Sequence, residues 1–114
     1  MKMEVRIRGI DRTAVLDAHI ARQLHFALGR FSTRIRSVVI YLTDINGPRG
    51  GAGYECRVLV QVARRDSIVV EELDHDIFAA VVRATARSGR ALARHVRLHR
   101  ETAAESHPVS GLAH

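Results

Sequence analysis

DIFAAVVRATARSGRALARHVRLHR, residues Asp76 to Arg100, is the stretch from which the rest of the chain can be read. Phe78, Val81, Thr85, Leu92 and Val96 recur at the three- and four-residue steps that return side chains to one side of a helix. Arg83, Arg87, Arg90, Arg94 and Arg97 recur at the same steps, half a turn away. On a regular helix those five arginines fall within roughly 80° of arc and draw a stripe ~21 Å long. No Asp or Glu occurs between Asp76 and Glu101. A solvated helix face ordinarily mixes both signs, because i,i+4 pairs of acid and base support the helix. The sequence therefore predicts a helix with one face in a core and one face of arginines that needs a polyanion from outside. Ser88-Gly89 interrupts the middle of it, where glycine costs ~1 kcal/mol relative to alanine. Close packing against another helix and a bend are both compatible with that glycine.

Upstream of the helix lies an acidic cluster, Asp66, Glu71, Glu72, Asp74 and Asp76. Carboxylates at a helix start suit the macrodipole, which accounts for Asp74 and Asp76 without catalysis. Ile68 to Leu73 reads as a short strand, and Arg64 to Ser67 as the turn before it. Tyr54 to Ala63 is a strand with Tyr54, Cys56, Val58, Val60 and Val62 on one side and Glu55, Arg57, Leu59 and Gln61 on the other. Asn46 to Gly53 is a loop by composition. It is a poor phosphate-cradle match, lacking the Gly-Lys-Ser or Gly-Lys-Thr ending and a following helix, although Arg49 at its tip is placed to touch a phosphate. Arg34 to Thr43 is a strand with Val38, Ile40 and Leu42 on one face and Val39 and Tyr41 on the other. Thr13 is the expected N-cap of a helix whose apolar face is Leu16, Ile20, Leu24, Ala27, Leu28 and Phe31, with His19, Arg22, Phe26 and Arg30 pointing away. That helix should end near Gly29. Met3, Val5 and Ile7 alternate with charged residues in a half-buried first strand.

The element order is strand, helix, three strands, helix. A strand–helix–strand unit needs a right-handed crossover, so the first two strands should be parallel and the remaining strands an antiparallel meander. The expected fold is α+β, a two-layer β-α-β-β-β-α sandwich with a four-stranded sheet and both helices on one face. Residues 1–100 form the domain, and 101–114, which has no periodic pattern, reads as a flexible tail. The open sheet face should be charged around an apolar island of Val39, Tyr41, Leu59 and Val69.

The totals agree with one domain: 114 residues with a formal net charge of +6. Lys2 is the only lysine, so nearly all the positive charge is arginine, which suits bidentate phosphate contacts. Cys56 is alone, which excludes an intramolecular disulfide, and its apolar surroundings predict a buried, inert thiol. Met1 to Arg8 lacks the apolar segment of a signal peptide, and no apolar run approaches the ~20 residues of a membrane span. The cytoplasm is the expected compartment. His95 and His99 have the i,i+4 spacing of a metal pair, but no third ligand is evident, so neither a metal nor a cofactor is expected. No nucleophile–base set or carboxylate pair appears, so the chain is not expected to be an enzyme or to take a small-molecule substrate.

Among polyanions a membrane surface is disfavoured, because the face opposite the arginines is needed as core. No aromatic accompanies the stripe, so backbone and shape recognition of structured RNA is preferred over base stacking. The rival reading is a protein-interaction module that docks a partner or weakly self-associates through Val39, Tyr41 and Leu59.

With this element order and a basic last helix, the chain resembles the ribosome hibernation promoting factor and ribosome-associated inhibitor family over about Met3 to His99. Asp76-Ile77-Phe78-Ala79-Ala80-Val81 is similar to the family's acidic–apolar–aromatic–small–small–aliphatic opening of the last helix. Arg87, Arg90 and Arg94 fall where the family places Lys or Arg, and Phe31, Arg34 and Ile35 resemble its step into the second strand. The resemblance implies binding in the mRNA and tRNA channel of the small ribosomal subunit, through basic residues on ribosomal RNA, idling ribosomes under stress or in stationary phase. The RNA-binding residues it implies are Arg87, Arg90 and Arg94; Arg83 and Arg97 extend the stripe without strong family precedent, and Arg22 and Arg30 of the first helix are expected in support. Gln23 and Phe26 stand where the family's first helix carries lysines. The length resembles the short form, without the additional C-terminal domain of the long form.

Overall fold

A computed structural model describes residues 1–45, 53–62 and 66–111, with side chains described as far as residue 99. The chain runs through β1 (Lys2–Arg8), α1 (Ala14–Leu28), a 3₁₀ helix (Gly29–Arg34), β2 (Ile35–Asp44), β3 (Tyr54–Val62), β4 (Ser67–Asp74) and α2 (Ile77–Gly111). Gly9 turns the chain after β1 with φ +74°, a left-handed conformation that glycine adopts without a Cβ clash. Thr13 then opens α1, its hydroxyl accepting the Leu16 N–H at 3.1 Å.

The sheet order is β1-β2-β3-β4. β1 and β2 are parallel, joined by the α1 crossover, and β2, β3 and β4 are antiparallel neighbours, as the sequence predicts. Strict alternation puts Val38, Ile40 and Leu42 of β2 on the same face as Cys56, Val58 and Val60 of β3. These residues are fully buried beneath Leu16, Ile20, Leu24 and Leu28 of α1 and Val81, Leu92 and Val96 of α2. Both helices therefore cover one face of an α+β sandwich. Thr85 and Ser88 are buried as well, and their hydroxyls donate back to the Val81 and Ala84 carbonyls at 2.8 Å, so neither is left unsatisfied.

Three expectations change. Phe78 is not a core residue: it stays partly exposed and packs edge-on against His19, ring centroids 4.9 Å apart. His19, expected to point away, also meets the Phe78 carbonyl at 3.1 Å. The third is the end of α2. The helix does not stop near Arg100 but continues to Gly111, through the segment predicted as a tail. Glu101-Thr102-Ala103-Ala104-Glu105 contains good helix formers and no breaker, so an existing helix has no local reason to end there. The predicted Asn46–Gly53 loop, including Arg49, lies outside the described residues except for Gly53. No helix among the described residues is long and apolar enough to cross a membrane.

Cys56 has no exposed surface, and burial pushes its thiol up to about 12. Desolvation of the thiolate is the main cause, with Glu55 and Glu72 adding to it. At neutral pH the native protein should therefore resist alkylation by a thiol reagent and react stoichiometrically once unfolded in denaturant. Rapid labelling of the native state would contradict the packing described.

Candidate nucleic-acid interface

The face of α2 opposite the core carries Arg83, Arg87, Arg90, Arg94 and Arg97, all exposed. The stripe predicted from the spacing therefore forms, but it is not uniformly unbalanced. β4 alternates so that Val70, which is buried, shares a face with Glu72 and Asp74. Those two carboxylates emerge beneath α2. Arg83 bridges them, 2.8 Å from Glu72 and 3.2 Å from Asp74, and Arg87 closes a second, short contact on Glu72. Arg83 and Arg87 also donate to the Leu73 and Glu71 carbonyls, each at 3.1 Å. Two arginines thus grip the outermost strand, hindering strand addition there.

The expectation that the stripe finds no internal acid is corrected for Arg83 and Arg87. The missing acids come from the neighbouring strand, not from the helix itself. Among the residues whose side chains are described, up to residue 99, no carboxylate lies within ion-pair distance of Arg90, Arg94 or Arg97. Among the residues whose side chains are described, arginines without a carboxylate partner lie in the second half of α2.

Asp74 and Asp76 organise the entry to this helix. Asp76 accepts the Phe78 N–H at 2.9 Å with its carboxylate and the Ala80 N–H at 2.9 Å with its carbonyl. Asp74 accepts the Asp76 N–H at 2.9 Å. That backbone bond, and then Arg83, hold the Asp74 carboxyl below its ordinary range against a partial desolvation. A carboxyl held low in the native state makes unfolding take up protons. Its stabilising contribution is therefore complete above the unfolded-state pKa, about 3.9, and fades as pH falls through the lower native value. Urea midpoints of the wild type and of Asp74→Asn should differ at neutral pH and converge in acid below about pH 4. A constant difference across that range would remove this role.

Arg22 is exposed on α1, whereas Arg30, expected on the same helix, lies exposed in the 3₁₀ turn after it, its guanidinium 4.7 Å from the centre of the Phe31 ring. Arg30 and Arg90 line a groove of about 440 Å³ between the helices, together with Phe26, Val82 and Gly89. Gly89 makes its close floor: a Cβ there would lie 2.8 Å from the Ala27 carbonyl oxygen. The glycine serves close helix packing. Phe26 is 87% exposed on the groove rim. This corrects the expectation that no aromatic accompanies the arginines. The aromatic comes from the other helix, so spacing along α2 gives no sign of it.

The open sheet face is less apolar than its island suggests. Val39, Leu59 and Val69 form a cross-strand row. Tyr41, however, has the Arg6 and Arg57 guanidinium groups 5.7 and 6.0 Å from its ring centre, and Arg57 lies 3.6 Å from Glu71. His95 and His99 gain the third neighbour that the sequence does not reveal. Asp66 Oδ2 lies 3.5 Å from His95 Nε2 and 3.3 Å from His99 Nε2.

No protein-family model matches the chain, and no curated protein matches it either. Solved structures do. The N-terminal domain of Protein Y from Thermus thermophilus superposes with a TM-score of 0.69 at 19% identity, covering 82% of this chain and 98% of that one. A ribosomal subunit interface protein from Coxiella burnetii gives a TM-score of 0.72 at 14% identity, covering 85% of this chain and 99% of that one. At these identities the likeness is one of fold.

Proposed function

We propose that this protein binds the small ribosomal subunit in the channel used by mRNA and tRNAs, contacts ribosomal RNA, and idles ribosomes under stress or in stationary phase. The observation that carries the reading is the trio Arg90, Arg94 and Arg97, exposed on one helix with no carboxylate partner among the side chains described up to residue 99. A row of guanidinium groups three and four residues apart spans successive phosphates, and its affinity comes mainly from counterion release. Arg22 on α1 and Arg30 on the 3₁₀ turn that follows extend the positive surface across the groove. Phe26 offers a flat, solvent-facing ring on which an unstacked base can rest between Arg30 and Arg90. The shared fold with a ribosomal subunit interface protein supports the ribosome as the place where that RNA is met.

Arg83 and Arg87 take a smaller part in this scheme. Their charge is already opposed by Glu72 and Asp74, and an RNA phosphate would have to compete with those carboxylates. Their principal work is to hold α2 on β4. Inhibition is steric: a folded sandwich in the channel excludes mRNA and tRNA without chemistry.

The test is co-sedimentation of the purified protein with small subunits over a series of salt concentrations. Arg22, Arg30, Arg90, Arg94 and Arg97 together predict a slope of log affinity against log salt of about −4. A flat salt dependence, or no association with small subunits at low salt, would end the proposal.

A further inference from the structure

Asp66, His95 and His99 have no part in the RNA interface. His95 and His99 lie on the flank of α2 turned away from Arg94 and Arg97, and Asp66 immediately precedes β4. We infer that these three residues bind one divalent transition-metal ion of the zinc class, tying the second half of α2 to the start of β4.

The spacing begins the case. His95 and His99 are one helical turn apart, and their rings lie 4.1 Å apart between centroids, tilted by 41°. Both direct Nε2 at a single carboxylate oxygen, Asp66 Oδ2, at 3.5 and 3.3 Å. One ligand atom from each residue lies within 4.8 Å of the other two. Zinc bonds to imidazole nitrogen and carboxylate oxygen are about 2.0–2.1 Å, so neighbouring ligands on a tetrahedral ion are about 3.3–3.4 Å apart. The two nitrogen–oxygen separations sit beside that value. The three ligand atoms all lie within 4.8 Å of one another, so the widest separation shortens when they close on one ion.

Hydrogen bonding gives the second argument. His99 Nδ1 is 3.2 Å from the His95 carbonyl oxygen, which can only accept. Nδ1 therefore carries a proton. In the neutral ring Nε2 then presents a lone pair to the Asp66 carboxylate, an arrangement that repels unless a cation lies between them. Fixing the remote ring nitrogen on a carbonyl is also how metal-binding histidines are commonly oriented. An N–H from each ring toward Asp66 is the competing arrangement, and metal titration distinguishes the two. One divalent ion satisfies both nitrogens and the carboxylate together.

Asp66 is itself held in place. Its carbonyl accepts the Val62 N–H at 2.9 Å and the Gln61 side-chain amide at 3.4 Å. Donor chemistry selects the metal. Two imidazoles and one carboxylate suit zinc and its neighbours, whereas calcium and magnesium require more oxygen ligands. His99 is half exposed, so water can complete a fourth position.

The test is titration of metal-stripped protein with zinc chloride near neutral pH, followed by calorimetry and by thermal melting. The expected result is one saturable site per chain, a raised Tm, and no comparable response to magnesium. Asp66→Asn and His99→Gln should each weaken binding by roughly tenfold or more. Both residues are partly exposed, and circular dichroism of the metal-free variants checks that they fold. His25→Gln, on the exposed side of α1, should bind as the wild type does. Absence of a one-to-one site, or equal affinity in the wild type and both site variants, would overturn the inference. The readout involves no ribosome, so it stands or falls separately from the RNA-binding proposal.

Discussion

Small ribosomal subunits should no longer retain the protein when Arg90, Arg94 and Arg97 are all changed to glutamate. Three of the five arginines assigned to phosphate are then removed, and three like charges are presented to the RNA instead. The residual salt slope should fall from about −4 to about −1.5, with affinity lost by several orders of magnitude at moderate salt. The fold should survive, because all three side chains are exposed and none holds a described carboxylate. The contrasting variant is Arg83→Gln with Arg87→Gln. Those side chains carry the contacts to Glu72, Asp74 and the β4 carbonyls. Because both arginines are half exposed, the ion pairs are worth about 1 kcal/mol or less each. The double variant should melt several degrees lower and still co-sediment. Interchanged outcomes, with binding lost at 83 and 87 but kept at 90, 94 and 97, would place the RNA on the wrong half of the helix.

The difference between these two groups of arginines marks where the sequence stops being legible. Strands were readable because Val38, Ile40 and Leu42, or Val58, Val60 and Val62, repeat at the period of the pleat. The helices were readable because Leu16, Ile20 and Leu24, or Val81, Thr85, Leu92 and Val96, repeat at the helical one. Each of those signals is local. The partners of Arg83 and Arg87 are not. Glu72 and Asp74 share the parity of buried Val70, so their emergence beneath the helix follows from alternation, but only once β4 is known to lie under α2. Balance sought within the helix alone misses them.

Phe26 and Asp66 are the same lesson at longer range. Phe26 reads as an ordinary outward residue of the first helix until α1 and α2 are set side by side, when it borders Arg90 across a groove. Asp66 precedes His95 by a strand and half a helix, so the pair of histidines looks incomplete in sequence. The β-α-β-β-β-α sandwich is recognisable because its element order and its last helix are local patterns, and the solved structures share it at only 14–19% identity. The far boundary of α2 was missed for a different reason. Residues 101–105 have helix propensity but no amphipathic stripe, and the prediction relied on the stripe.

Gly89→Ala should destabilise the protein, although the same change in an exposed helix would stabilise it. The propensity term favours alanine by ~1 kcal/mol. It is opposed by a Cβ placed 2.8 Å from the Ala27 carbonyl oxygen and 3.4 Å from the Ala27 Cβ. The nearer atom is backbone, so no side-chain rotation relieves it, and the two helices must move apart. Separation loosens contacts among Leu24, Leu28, Thr85 and Leu92, which are fully buried on either side of the crossing. Overpacking of this kind costs about 1–3 kcal/mol, which outweighs the propensity gain over most of that range. In a domain this size the net loss lowers Tm by roughly 5–10 °C. A larger side chain, as in Gly89→Leu, should prevent the helices from docking and leave little cooperative unfolding. Ala27→Gly distinguishes the two contacts: combined with Gly89→Ala it removes only the 3.4 Å Cβ contact and should restore little stability. If Gly89→Ala instead raised Tm, the glycine would be serving no helix contact. The groove that sets Phe26 against Arg90 would then need another explanation for its depth. Because α2 would be displaced with its arginines, Gly89→Ala should also weaken small-subunit binding under conditions where it remains folded, linking the close crossing of two helices to the geometry of the surface they present.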